Sequence, residues 1–157
     1  MEACISTIII LAVYKWLSNR SRNSPAARRS PYYASITSMV ADCSSAIERF
    51  QSLLNLVGAD SSIQNTPEWQ KQIKTQGAEI ARMPQRVALM QPPPDCMTVH
   101  SHLSGMAMHY ARWAGMFLEA FDKEDQTLAD TAEDEKVRGD AASERATAEL
   151  QRINASD

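Results

Sequence analysis

Apolar positions along the chain recur alternately every three and every four residues. This spacing is typical of one face of an α-helix that packs nearly parallel to its neighbours. In the first stretch, residues 32–57, the apolar face consists of Ile36, Val40, Cys43, Ile47, Phe50, Leu54 and Val57. Gly58 follows as a stop signal. The pattern predicts one long amphipathic helix that ends at this glycine.

A second stretch begins at Thr66-Pro67-Glu68. A capping threonine, a proline at the first helical position and an acid near the positive helix end all favour a helix start there. The same spacing is kept by Trp69, Ile73, Gln76, Ile80, Met83, Val87 and Met90, of which only Gln76 is polar. Pro84 lies within this stretch and has no N–H to donate to the carbonyl of Ile80. We therefore expect the helix to kink, or to end and restart, at Pro84 and to close before Pro92.

Two further stretches carry the same spacing. The third is expected to start with Asp95 as its cap and to run to about Phe121. Its face consists of Cys96, Val99, Leu103, Met106, Tyr110, Trp113, Phe117 and Ala120. The fourth, residues 127–154, has a narrow face of Leu128, Ala132, Gly139, Ala142, Ala146, Leu150 and Ile153. Small side chains bury little area, so the fourth helix should be the least stable.

These stretches predict an all-α protein. The joins between them are short, which favours antiparallel neighbours and hence an up-down four-helix bundle over residues 32–154, preceded by a short apolar N-terminal helix. The chain has only 5 glycines and 7 prolines, and its one β-branched run is at residues 8–10. In this register Cys43 and Cys96 differ in height by roughly 18 Å. We expect no disulfide between them, because a disulfide needs Cα atoms about 4.4–6.8 Å apart.

Residues 1–17 form an apolar N-terminal segment, and residues 18–31 read as a basic flexible linker. A helix that crosses a membrane needs about 20 apolar residues, and this segment has fewer. It also lacks the preceding positive charge of a signal peptide. Three alternatives stay open: a short membrane anchor, the remnant of an export signal that starts upstream, or an apolar helix packed against protein.

Positive and negative charges are distributed unevenly along the chain. Residues 1–31 contain five basic side chains and one acid, a net charge of +4. Residues 32–157 contain 11 basic and 18 acidic side chains, a net charge of −7. An acidic body argues against a nucleic-acid partner, because phosphates require a basic face. Basic residues beside an apolar segment instead favour membrane association through residues 3–17.

The side chains that could carry chemistry do not form a recognisable site. His100, His102 and His109 lack the i,i+3 or i,i+4 spacing of helical metal ligands, so we expect them to flank the core or face solvent. Cys96 could touch His100, but no third group orients the pair. The acidic run 122–135 lacks the central glycine of a calcium loop and reads as a solvated helix start. We predict no catalytic, cofactor-binding or metal-binding residues.

The order of several short features resembles a known group. These features are Ala46-Ile47-Glu48-Arg49-Phe50, Trp69 at the second helix start, Pro93-Pro94 followed by Val99-His100 and Leu103, and a last helix that begins LADTAE. The chain is similar over residues 33–153 to small extracytoplasmic, lipoprotein-type bacterial helical-bundle domains of unknown function. It departs from them by lacking a lipid-attachment cysteine and a basic start. The resemblance implies an exported body and no catalytic residues, whereas the arginines after residue 17 favour a cytoplasmic body.

These observations together predict a non-enzymatic, membrane-tethered helical bundle that acts as an interaction or structural module. We expect its body to be extracytoplasmic, with no cofactor and no metal. One alternative is an accessory subunit of a membrane protein complex, in which the apolar segment packs among other helices. A second is a small-ligand binder that uses the bundle interior, which requires a gap between the fourth helix and Met106 and Phe117.

Overall fold

The computed structural model describes residues 30–155, which are almost entirely helical. The α-helices are α1 (Ser30–Ala59), α2 (Pro67–Ala81), α3 (Met83–Ala88), α4 (Met97–Lys123) and α5 (Gln126–Ala155). Short 3-10 helices, Ser61–Asn65 and Pro94–Cys96, precede α2 and α4. No strand occurs between residues 30 and 155, so the all-α prediction is confirmed there. The predicted apolar helix of residues 1–17 and linker residues 18–29 lie outside the described residues.

Helix α1 is longer at both ends than the sequence predicts. It begins at Ser30, so the assignment of residues 30 and 31 to the linker is wrong. Pro31 fits the first turn, because its fixed φ suits a helix and no N–H is needed there. At the other end the helix passes Gly58, which has no positive φ, and ends at Ala59. The side chain of Asp60 then accepts a hydrogen bond from the backbone N–H of Ser62 at 2.9 Å, which starts the next turn.

The predicted interruption at Pro84 is confirmed. Helix α2 ends at Ala81 and α3 starts at Met83, with Pro84 in its first turn. The restart keeps the apolar face in register, because Ile80, Met83 and Val87 are each at most 1% exposed. The start of α2 also agrees with the sequence. Thr66 Oγ1 accepts a hydrogen bond from the N–H of Trp69 at 3.4 Å.

The start of α4 differs from the prediction. Asp95 lies inside the 3-10 helix Pro94–Cys96, and Cys96 occupies the cap position without a side-chain cap. The expectation that Asp95 caps the helix is therefore wrong, since the prolines before it lead into a 3-10 turn first. Helix α4 ends at Lys123, and the residue that caps it, Glu124, has a left-handed φ of 54°. Asp125 then accepts from the N–H of Leu128 at 3.1 Å and so caps α5.

The predicted apolar faces meet in one core. Phe50 and Ile80 are fully buried and Tyr110 is 1% exposed. The rings of Phe50 and Trp113 pack edge to face with centroids 4.9 Å apart, which joins α1 to α4. Near the end of α1 the buried position shifts from Leu54 to Leu53. The shift has a physical reason: a straight helix turns every 3.6 residues and drifts from a strict seven-residue repeat.

The most extensive contact between two helices in the described part of the chain is between α4 and α5. Gly105 lies near Ala142, since a Cβ on this glycine would come 3.9 Å from the alanine methyl. A Cβ on Gly139 would come 3.1 Å from the ring of Tyr110. Small residues on the narrow face of α5 allow this close approach. The expectation that α5 is the least stable helix stays a prediction.

Candidate functional site

A buried carboxylate is the centre of a polar cluster between α4 and α5. Glu135 is 7% exposed. Its Oε2 atom lies 2.8 Å from Nδ1 of His109, and its Oε1 atom accepts from Arg138 at 2.7 Å. A second arginine, Arg112, lies 3.9 Å from Oε2. The hydrogen bond with His109, together with the charges of Arg138 and Arg112, holds the pKa of Glu135 below its usual range.

The burial of Glu135 corrects the prediction that the whole run 122–135 is solvated. The other acids of this run are exposed, as predicted, but Glu135 faces α4. A sign of this was present in the sequence. Position 135 fills the gap between Ala132 and Gly139 and restores the three-four spacing of the α5 face. It was missed because only apolar and small residues were assigned to that face.

A second polar group continues the cluster along the same pair of helices. The hydroxyl of Tyr110 donates to Asp140, and Lys136 Nζ lies 3.1 Å from the other oxygen of this carboxylate. Tyr110 itself is 1% exposed, so its ring belongs to the core and its hydroxyl reaches the edge. Because these polar groups satisfy one another, the arrangement is suited to holding α4 against α5.

The three histidines flank the core, as predicted, and they have different partners. His100 Nδ1 lies 3.2 Å from the hydroxyl of Tyr32, and His109 pairs with Glu135. Burial lowers the pKa of His100. His102 is half-buried. Within residues 30–155, no three His, Cys, Asp or Glu side chains are grouped so that they could hold a metal ion.

Both described cysteines are buried thiols on different helices, and they form no disulfide with each other. Cys43 Sγ lies 3.2 Å from the sulfur of Met39, and Cys96 Sγ lies 3.7 Å from the hydroxyl of Tyr33. Burial raises the pKa of the Cys43 thiol to about 12. Since the thiolate is the reactive form, Cys43 is a poor nucleophile at neutral pH.

An open cavity of about 670 Å³ lies where α1 and α4 end and where α2 and α5 begin. We call it the aromatic groove. Its apolar lining includes Trp69, Ile73, Phe117, Leu118 and Phe121. The ring of Phe121 packs edge to face on Trp69 at 5.0 Å and lies 6.4 Å from the ring of Phe117. Since Phe117, Leu118 and Phe121 are only half-buried, the groove offers apolar surface to a ligand.

Charged side chains form the rim of the aromatic groove. Asp122, Glu124 and Asp125 are acidic, and Lys74 is the basic member. Lys74 and Asp122 approach each other to 3.9 Å, with 62% and 69% of their side chains exposed. The four rim residues therefore have a net charge of −2. An apolar floor with a few polar groups at its edge is the usual composition of a ligand-binding cleft.

Methionine side chains are flexible enough to line an adaptable groove. The structure instead places Met83 and Met106 in the core, 1% and 3% exposed. Met90, together with Met39, lines a separate open depression of about 810 Å³ between the start of α1 and the end of α3. The aromatic groove thus owes its apolar surface to rings rather than to methionines.

Across residues 30–155, none of the helices has the length and apolar composition needed to cross a bilayer. Comparisons with protein-family models, curated proteins and solved structures find no match to the chain. The resemblance to lipoprotein-type bacterial domains therefore stays a prediction. What the fold and the site define is an all-helical body over residues 30–155 with an acid-rimmed aromatic groove.

Proposed function

We propose that this chain is a non-enzymatic, membrane-tethered helical bundle that acts as an interaction or structural module. The observation that carries the proposal is the aromatic groove, because Phe117, Leu118 and Phe121 leave apolar surface uncovered at one end of a well-packed body. Contiguous exposed apolar surface is typical of binding sites. The tether is proposed for residues 3–17, followed by basic residues that suit an anionic membrane surface.

For the body we propose an antiparallel up-down arrangement of α1, α2, α4 and α5. Contacts between α1 and the following helices support it. Trp69 Nε1 donates to the carbonyl of Leu53 at 2.9 Å, while Arg86, further along the chain, pairs with the earlier Asp42 at 2.6 Å. The contact of His109 with Glu135 and the proximity of Gly105 to Ala142 support an antiparallel arrangement of α4 and α5 as well.

The tether is tested by fractionating cells that express the full chain. We expect the protein in the membrane pellet at high salt, which removes purely electrostatic binding. The double variant Ile9→Asp/Leu11→Asp should move it to the supernatant, because acids are costly within the bilayer. As a matched control, Ser21→Asp/Ser24→Asp adds the same charges to the linker and should leave the protein in the pellet. A wild-type protein found in the supernatant would refute the tether.

A second function, binding of a small ligand, is favoured by one specific observation. The gap expected beside Phe117 is present and is walled on the α5 side by Ala129. It does not extend to Met106, which is 3% exposed and part of the core. A cavity of about 670 Å³ is in the range of small-molecule sites, about 300–1,000 Å³.

This second function is tested by filling the cavity. Ala129→Phe should occupy the groove and abolish the binding of decanol, measured by calorimetry on the full chain. Ala148→Phe places the same ring at an exposed position of α5 away from the groove and should leave binding unchanged. Equal decanol binding by both variants would show that the groove is not the site.

A further inference from the structure

We propose that the aromatic groove binds a single-chain amphiphile with a cationic headgroup. The apolar tail would lie on the ring floor formed by Trp69, Phe117 and Phe121, and the headgroup would lie among the carboxylates of the rim. The inference rests on the proposed small-ligand function and adds the chemical class of the ligand.

The floor of the groove determines the apolar half of the ligand. Trp69 is 5% exposed and is fixed by its hydrogen bond to α1, so it forms a rigid part of the floor. Phe117 and Phe121 stand in front of it and are half-buried. Covering them would remove apolar area from water, and the gain would grow with each methylene that the ligand places against the rings.

The charged rim of the groove determines which sign of headgroup charge is favoured. Three acidic residues, Asp122, Glu124 and Asp125, line the groove together with one basic residue, Lys74. The side chain of Asp122 is 69% exposed and lies 3.9 Å from Lys74, so the lysine compensates one acid at most. An anionic headgroup would meet a net negative rim and would be repelled. A cationic headgroup would be attracted by the carboxylates.

The connection between α4 and α5 holds these acids in place. Glu124 adopts the left-handed backbone conformation that ends α4, and Asp125 is fixed as the cap of α5 by the N–H of Leu128. Two of the three acids, Glu124 and Asp125, therefore belong to an ordered turn, which directly follows Asp122 and the end of α4. Such preorganisation lowers the cost of binding, because less freedom is lost when the ligand arrives.

The test compares three ten-carbon probes on the full chain by isothermal titration calorimetry, each below its micelle concentration. The probes are decyltrimethylammonium, decanol and decyl sulfate. We expect the ammonium probe to bind roughly fivefold more tightly than the alcohol, and the sulfate to bind most weakly. The preference for the ammonium should decrease as salt is added.

Two matched variants assign the preference to the rim. Asp122→Asn/Glu124→Gln removes two rim charges and should reduce the ammonium-to-alcohol ratio to about one. Glu48→Gln/Glu144→Gln removes the same charge at exposed positions away from the groove and should keep the ratio. Ala129→Phe should abolish binding of the ammonium probe, which excludes binding by the apolar segment.

The outcomes separate the two proposals. Equal binding of all three probes, sensitive to Ala129→Phe but not to the rim variant, would overturn the cationic headgroup and leave the small-ligand function standing. Binding that is absent, or unaffected by Ala129→Phe, would overturn both proposals.

Discussion

At the scale of single residues, the environment of Glu135 has the largest consequence. One carboxylate, almost removed from water, interacts with His109, Arg138 and Arg112. A buried charge is tolerated only when it is paired and hydrogen-bonded. The contacts of Glu135 therefore link the first half of α5 to the middle of α4, and removing its charge should loosen that link.

Glu135→Gln should lower the free energy of unfolding by about 1–3 kcal/mol, because it weakens charge-assisted hydrogen bonds to His109 and Arg138. Urea unfolding followed by circular dichroism measures the change. Glu133→Gln, which removes an exposed acid two residues earlier, should change stability by less than about 0.5 kcal/mol. An equal loss in both variants would mean that Glu135 has no special role.

The lowered pKa of Glu135 also predicts a dependence of stability on pH. Because the folded state favours the ionised carboxylate, this contribution is fully present above the usual glutamate pKa of 4.5 and is lost as the pH falls through the lower folded value. Between neutral pH and this acidic range, the wild type should therefore lose more stability than Glu135→Gln. Parallel pH profiles of the two proteins would contradict the argument.

A second residue-scale prediction concerns Glu124, a non-glycine residue with a positive φ of 54°. The left-handed conformation places Cβ close to a carbonyl and is easiest for glycine. Glu124→Gly should therefore raise the thermal unfolding midpoint, by a gain of up to about 1 kcal/mol. Lys123→Gly, inside the last turn of α4, should lower it. A lower midpoint for Glu124→Gly would show that the side chain matters more than the backbone strain.

At the scale of helices, glycine has different roles in α4 and α5. A Cβ on Gly139 would lie 3.1 Å from two ring atoms of Tyr110, whereas a Cβ on Gly115 would meet nothing within 4 Å. The first glycine allows two helices to approach, and the second only weakens its own helix. The sequence pattern alone places both on helices and does not separate these roles.

Alanine substitutions should therefore have opposite effects at these two positions. Gly139→Ala should destabilise the protein by about 1–3 kcal/mol through crowding against the tyrosine ring. Gly115→Ala should stabilise it by up to about 1 kcal/mol, because alanine favours helix and the site is open. Urea unfolding of the two variants measures both signs. Stabilisation by Gly139→Ala would mean that α4 and α5 can separate without cost.

At the scale of the whole molecule, one core contains residues from every α-helix of the described range. Phe50 is fully buried and touches the ring of Trp113, so it couples α1 to α4. Phe50→Ala should lower the free energy of unfolding by about 3–5 kcal/mol through loss of burial and a remaining cavity. Leu89→Ala is the matched control, because Leu89 is 84% exposed and its loss should matter little. Similar losses would show that the core is not shared.

Much of the helical architecture follows from the sequence, because helix spacing, caps and proline breaks are local properties. The three-four spacing placed Ile36, Ile73 and Leu103 on buried faces, and Pro84 marked the restart of a helix. Helix ends were predicted less well, at Gly58 and Asp95, because neighbouring turns compete for the same residues.

Which polar residues are buried and which apolar residues remain uncovered was decided only by the tertiary structure. The three-four spacing places Glu135 on the inner face of α5, but only the facing residues of α4 decide that its carboxylate is buried and paired. The aromatic groove likewise needs the ends of α1 and α4 to meet the starts of α2 and α5. The sequence by itself determined where helices form, since the periodicity lies within each stretch. Their mutual contacts join residues far apart in the chain, and these contacts produced the candidate site.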